Sequence, residues 1–327
     1  MVNRDIKLIN IAIINYDYAL ASSIIGIMDI FSIVNNFCLA DDQNLRFDVK
    51  ILQIQKRVKN YNIQLDFHTH PLDTNMSFDM IIVPPLIDIE HKFDTDKTLL
   101  AWLKRENLKG TLIGSVCIGT YILAQAGLLE GKQATSHWVI EEKLKADFPN
   151  IRLDIDKLIV EDENIITAGG VSAYIDFCLY CTRKFISNEV AYICANYLGI
   201  DAGRVSQKHY KNLSTISVNN DTDIQLLVAW LSDHFKEEIT LETMAKMISV
   251  SKRTLLRKFH KSTGYLPNQY LQKLRVEQAK HLLVNTNDSF EYITYRVGYS
   301  NSSSFRKLFK KLTGLNPVQY KEYFMVK

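Results

Sequence analysis

No apolar run in the 327 residues approaches the roughly 18 positions of a membrane span, and Met1 to Lys7 carry neither a long apolar core nor a small-residue cleavage site. A soluble, non-exported chain with no membrane partner is the expectation. The five cysteines are odd in number, scattered through apolar segments and without framework spacing, which fits the reducing cytoplasm better than a secreted scaffold. Cys178 and Cys181 form a Cys-x-x-Cys, but inside an apolar helical stretch where packing is the simpler role. His68 and His70 flank Thr69 and would share one face of a strand. They lack a nearby cysteine or third histidine, so no metal or cofactor site is expected. At 47% apolar and 23% charged residues the composition is globular, and the length suffices for about two domains.

Net charge is unevenly divided. From Asp221 onward there are 17 basic and 10 acidic residues, net +7, against 22 basic and 26 acidic before it, net −4. A basic C-terminal part on a mildly acidic body points to a polyanion as partner of the former. The same part repeats itself: Phe259, Gly264, Pro267 and Tyr270 recur fifty positions later as Phe309, Gly314, Pro317 and Tyr320. Each copy reads as a basic amphipathic helix (Lys252 to Ser262; Asn301 to Leu312), a Thr-Gly stop, then a helix opened by proline.

A short helix precedes each basic one, Leu241 to Ile248 and Phe290 to Val297. The turns are Ser249-Val250-Ser251, with Ser251 as cap, and Gly298 followed by Ser300 or Asn301. These are two helix-turn-helix units. Pro267 to Asn285 reads as one spacer helix, about 28 Å long at 1.5 Å per residue and close to the rise of one DNA turn. Leu255, Leu256 and Phe259, and Phe305, Leu308 and Phe309, are expected to point inward. Arg253, Thr254, Arg257, Lys258 and Lys261 remain outside in the first unit, and Ser302, Ser303, Arg306, Lys307 and Lys310 in the second. Arginine presents a fork to guanine, serine a small donor or acceptor, and lysine a charge for phosphate.

Over Asp223 to Phe324 the segment resembles the AraC/XylS transcription regulators. The likeness is carried by Leu241-Glu-Thr-Met-Ala245, Ser251 to Phe259, Thr263-Gly264, Pro267 and Tyr270, and by Val297-Gly-Tyr-Ser300, Phe305 to Phe309, Gly314, Pro317 and Tyr320. It implies that Arg253 and Arg257 approach bases in one groove and Ser302, Ser303, Arg306 and Lys307 in the next. Thr294 stands where the family usually has alanine, which would loosen the second unit.

The N-terminal part alternates apolar strands with helical patterns: strands at Ile6 to Ile14, Phe47 to Gln53, Met80 to Val83 and Thr111 to Val116, and helices from Ala21 to Asn36, Thr98 to Glu106 and Ile118 to Ala126. This predicts a mostly parallel sheet with ligands at the carboxyl ends of its strands. Gly114-Ser-Val-Cys117-Ile-Gly119 has the form of a nucleophile elbow, in which the following helix N-terminus would lower the thiol pKa. His137 is a candidate base. This part, Ile6 to Lys211, resembles the PfpI-like, class I glutamine amidotransferase-like superfamily, in particular the sensor half of GlxA-type AraC regulators. The marks are Gly26 to Phe31, Phe78 to Pro84, the Cys117 elbow running to Gly131, Ala134 to Trp138, and Ile166 to Asp176. Enzymatic members carry an acid after the first strand; here Ala19 to Ile25 has none, and only Asp17 and Asp29 flank it.

The expected architecture is a flavodoxin-like α/β sensor domain over residues 1–211, a linker at 212–220, and an all-α double helix-turn-helix domain over 221–327. The expected function is DNA-binding transcription regulation responsive to a small-molecule effector near Cys117 and His137, without catalysis. An amidase- or hydrolase-like enzyme using those two residues is the alternative. Double-stranded DNA, the transcription machinery and a second copy of the chain are the expected partners, the last by resemblance.

Overall fold

The computed structural model describes residues 6–40, 44–54, 68–86, 95–201, 203–211 and 221–325. The chain divides into two compact units, Met1–Gln207 and Lys208–Lys327. The linker expected at 212–220 lies outside the described residues.

In the first unit the elements run β1 (Lys7–Asn15), α1 (Ala21–Ala40), β2 (Leu45–Gln53), β3 (Thr69–Pro71), β4 (Met80–Val83), α2 (Lys97–Leu108), β5 (Leu112–Val116), α3 (Thr120–Gln125), β6 (Gln133–Ala134), α4 (Glu141–Asp147), β7 (Arg152–Leu153), β8 (Ile159–Asp162), β9 (Ile165–Ala168), α5 (Ala173–Phe185) and α6 (Asn188–Leu198). Seven strands form one sheet in the order β3-β2-β1-β4-β5-β9-β8, and β6 and β7 form a separate pair. Every neighbour in the large sheet is parallel except β8 and β9, whose short reversal permits antiparallel pairing. All four residues of β4 are buried, as a strand covered on both faces requires. This is the expected flavodoxin-like class.

The expectation of no span-length apolar segment needs correction. By length and composition alone, Ala21–Leu39 of α1 could cross a bilayer. Its apolar residues are instead spent on the interior: Ile24, Ile27, Phe31, Val34 and Cys38 are buried, and the helix packs on β2, α5 and α6.

The second unit contains α7 (Thr222–His234), α8 (Leu241–Met247), α9 (Lys252–Thr263), α10 (Pro267–Asn285), α11 (Phe290–Arg296), α12 (Ser302–Thr313) and α13 (Pro317–Phe324). Ser251 caps α9 by accepting from Thr254 N, and Asn301 caps α12 by accepting from Ser304 N. The repeat has a packing meaning. Phe259 meets Tyr270 edge-on with ring centres 5.5 Å apart, and Phe309 meets Tyr320 in the same way at 5.4 Å. The threonine before each glycine repeats its bonding too: Thr263 Oγ1 donates to Phe259 O and Thr313 Oγ1 to Phe309 O, both at 2.8 Å. Thr294 is buried with its hydroxyl donating to Phe290 O at 2.8 Å, so the expected loosening of the second unit has no unsatisfied polar group to cause it.

The two tight turns solve the same reversal differently. Ser249 adopts φ 54° with a side chain in place, whereas at Gly298, φ 83°, a Cβ would lie 2.5 Å from Lys236 O. Gly298→Ala is therefore expected to cost about 2 kcal/mol or more. Ser249→Gly, which relieves left-handed strain while freeing the unfolded chain, should change stability by less than about 0.5 kcal/mol. Thermal unfolding midpoints of the two variants check this, and equal losses would contradict the assignment.

Candidate functional site

Each unit holds one set of candidate residues. In the second unit α8 and α9 pack as a helix-turn-helix, as do α11 and α12. Leu255 and Phe259, and Phe305 and Phe309, are buried as expected, while Leu256 and Leu308 are only partly so. On the opposite faces Arg253, Arg257, Ser303, Arg306, Lys307 and Lys310 are exposed, and Thr254, Lys258 and Ser302 are half-buried.

The structure sorts these side chains further. Among the described residues, Arg253, Arg257, Lys261, Lys307, Lys310 and Lys311 make no side-chain hydrogen bond or ion pair. Lys258 is committed elsewhere: its Nζ lies 2.7 Å from Asp223 Oδ2 and 3.3 Å from Asp221 Oδ1, tying α9 to the start of α7. Those aspartates raise its pKa, Asp223 foremost. Thr254 shares its hydroxyl with the cap, at 3.0 Å from Ser251 Oγ. Arg306 is held by Glu291 at 3.1 Å, and its guanidinium lies 4.9 Å from the Phe290 ring centre. Sequence reasoning separated inside from outside but missed which outward cations are already paired. The partners of Lys258 lie 35 residues or more upstream, where spacing gives no warning.

In the first unit β5 ends in the expected sharp turn. Cys117 has φ 60°, a left-handed conformation that costs a residue with a side chain about 1–3 kcal/mol. Gly119 lets the following turn approach β4, since a Cβ there would lie 2.6 Å from Pro84 O. Buried hydroxyls anchor the elbow: Ser115 and Thr120 lie 2.9 Å apart, Thr120 donates to Thr135 O, and Ser136 Oγ donates to Cys117 O at 2.8 Å. The run ending at His137 is thereby fixed beside the cysteine's backbone.

The electrostatics oppose the expectation of a lowered thiol pKa. Burial raises Cys117 to about 12, and the Ile118 N–H works in the other direction without overcoming it. A thiol wholly out of water loses more by desolvating its anion than one short turn of backbone dipoles returns. Tyr16, which donates to Pro84 O at 2.5 Å, is buried close enough to feel the cysteine, and burial raises its phenol as well. Burial lowers His137 to about 4. Its Nδ1 accepts from Val139 N at 3.2 Å, which leaves the proton of the neutral ring on Nε2. Among the described residues no hydrogen bond joins Cys117 and His137, and no carboxylate contributes to the environment of the thiol. Cys178 and Cys181 are buried in α5 as packing residues. The rings of His68 and His70 meet edge-on at 5.2 Å.

These features define an α/β domain joined to a double helix-turn-helix. Residues 46–184 match the DJ-1/PfpI family, and residues 244–323 match the helix-turn-helix domain. The HTH-type transcriptional regulator GbdR of Pseudomonas aeruginosa is 26% identical over 246 residues, covering 75% of this chain and 66% of GbdR. The HTH-type transcriptional activator RhaS of an Enterobacter species is 41% identical over 104 residues, 32% of this chain and 37% of RhaS. The matches thus span just under two thirds of GbdR and little over a third of RhaS. A THiJ/PfpI family protein from Pseudomonas syringae shares the fold, with a TM-score of 0.51 and 22% identity over 75% of this chain and 91% of that one. A stretch similar to the DJ-1/PfpI family thus precedes one similar to the helix-turn-helix domain in this chain.

The lowered His137 has a signed consequence. Its neutral form is favoured in the folded state, so the stability it contributes is fully present above the unfolded value of 6.5 and is lost as pH falls toward about 4. The full shift corresponds to about 3 kcal/mol at most. Urea unfolding near pH 7 and near pH 4 should show that His137→Gln loses less stability on acidification than the wild type. Equal losses would mean that the ring is hydrated and unperturbed.

Proposed function

We propose that the protein is a sequence-specific DNA-binding transcription regulator, with α9 and α12 as its recognition helices and the α/β domain as sensor of a small molecule bound beside Cys117. The observation that carries the DNA reading is the duplication: two equivalent helices, each buried on one side through a Phe–Tyr pair, each with unpaired cations on the other. The spacer α10 has 19 residues, about 28 Å at 1.5 Å per residue, near the rise of one duplex turn. Arg253 and Arg257 would read bases in one major groove, and Ser302, Ser303, Arg306 and Lys307 in the next. Lys310 would neutralise phosphate, and Lys258 would hold α9 in place rather than touch DNA.

The sensor reading rests on the elbow at the carboxyl end of β5, where ligands of such sheets sit. Burial raises the pKa of the Cys117 thiol and favours its protonated form, and among the described residues no base is hydrogen-bonded to it. This favours a binding role over the amidase- or hydrolase-like alternative with Cys117 as nucleophile and His137 as base. Action in the cytoplasm, which the scattered unpaired cysteines suit, and as a homodimer working on the transcription machinery, which the family resemblance implies, completes the proposal.

Arg257→Ala is expected to cost about 1–3 kcal/mol on the preferred duplex and to relax preference at one position, whereas Lys310→Ala should weaken all duplexes about equally. Titrating full-length variants against preferred and scrambled duplexes tests this. A uniform loss from both would contradict the roles given to them.

A further inference from the structure

The repeat extends to a pair of acids that the DNA reading leaves unused. Each helix-turn-helix has a glutamate as the second residue of its first helix, Glu242 in α8 and Glu291 in α11, two positions after the hydroxyl caps Thr240 and Ser289. An acid there is favoured by the helix dipole alone. These two, however, both reach across to the recognition helix that follows. Glu242 pairs with Lys252, the first residue of α9, and Glu291 accepts from Arg306 NH2 at 3.1 Å. Their neighbours Arg253, Arg257, Lys307 and Lys310 are untied. Each of α9 and α12 thus has one cation leashed to the first helix of its own helix-turn-helix and several left free, while Lys258 of α9 is held separately by Asp221 and Asp223.

Both leashes are in water, with side chains 55% and 53% exposed in one pair and 44% and 64% in the other. Pairs this exposed change an equilibrium by a factor of about five at most. That is too weak to withhold a guanidinium from a base edge offering two matched acceptors, yet it competes with a lone phosphate contact. The Arg306 guanidinium lies 4.9 Å from the Phe290 ring centre while Glu291 holds its end, two contacts that restrict the side chain's freedom.

We propose that Glu242 and Glu291 are specificity-determining positioning residues, which hold Lys252 and Arg306 back from random duplex and release or present them only to a matching site. The inference rests on the DNA-reading proposal above. Its test uses the full chain, the duplex enriched by the wild type from a random library, and a scrambled duplex of equal length. Glu291→Gln should bind the scrambled duplex about threefold more tightly. The slope of log affinity against log salt should steepen by about 0.9, one more phosphate neutralised. The ratio of preferred to scrambled affinity should fall about threefold or more. In an Arg306→Ala background the same substitution should change neither slope nor ratio, whereas a mere dipole effect would persist there. An unchanged slope and ratio in Glu291→Gln, or the same change with Arg306 removed, overturns this inference while leaving the DNA reading intact. Absence of any duplex binding by the wild type would overturn both.

Discussion

The burial of Phe259 and Phe309 under the tyrosines that follow each Thr-Gly stop is the constraint on which the C-terminal unit depends. Each ring lies on the inner face of α9 or α12, and each tyrosine lies one turn into the helix that comes after. Fixing that contact fixes which face of α9 and α12 is turned out, because residues three and four positions away follow by helix geometry. The second tyrosine belongs to α13, while the first belongs to α10, which packs on α9, α11, α12 and α13. One spacer helix therefore serves both halves, and α9 and α12 cannot be oriented independently of it.

The α/β unit shows the converse use of burial. Its elbow has the strained backbone at Cys117 that serves nucleophiles elsewhere, but desolvation keeps the thiol protonated and the nearby imidazole neutral. The hydroxyls of Ser115, Thr120 and Ser136 are turned to holding the turn together rather than to activating it.

Much of this was legible in the residues because local and tertiary demands agree. α10 begins and ends where its proline and its apolar period place it, at Pro267 and Asn285, and β4 spans Met80 to Val83 as its apolar run predicts. The inside and outside of α9 and α12 followed from helical period. What could not be read depended on distant partners or on burial. The β8–β9 hairpin is short and lacks an alternating signal, and nothing near Lys258 announces Asp221 and Asp223. The pKa of Cys117 was expected to fall because a helix start is visible in sequence. The degree of burial that reverses the sign is not visible there, since it is set by strands and turns far along the chain.

The central claim is that one chain carries two groove-reading helices set about one duplex turn apart. Guanine N7 methylation protection on a duplex enriched by the full-length protein tests it most directly. The account predicts two protected major-groove windows on one face of the DNA, with centres about 10 base pairs apart. A single window, two windows on opposite faces, or no protection at low salt would contradict it.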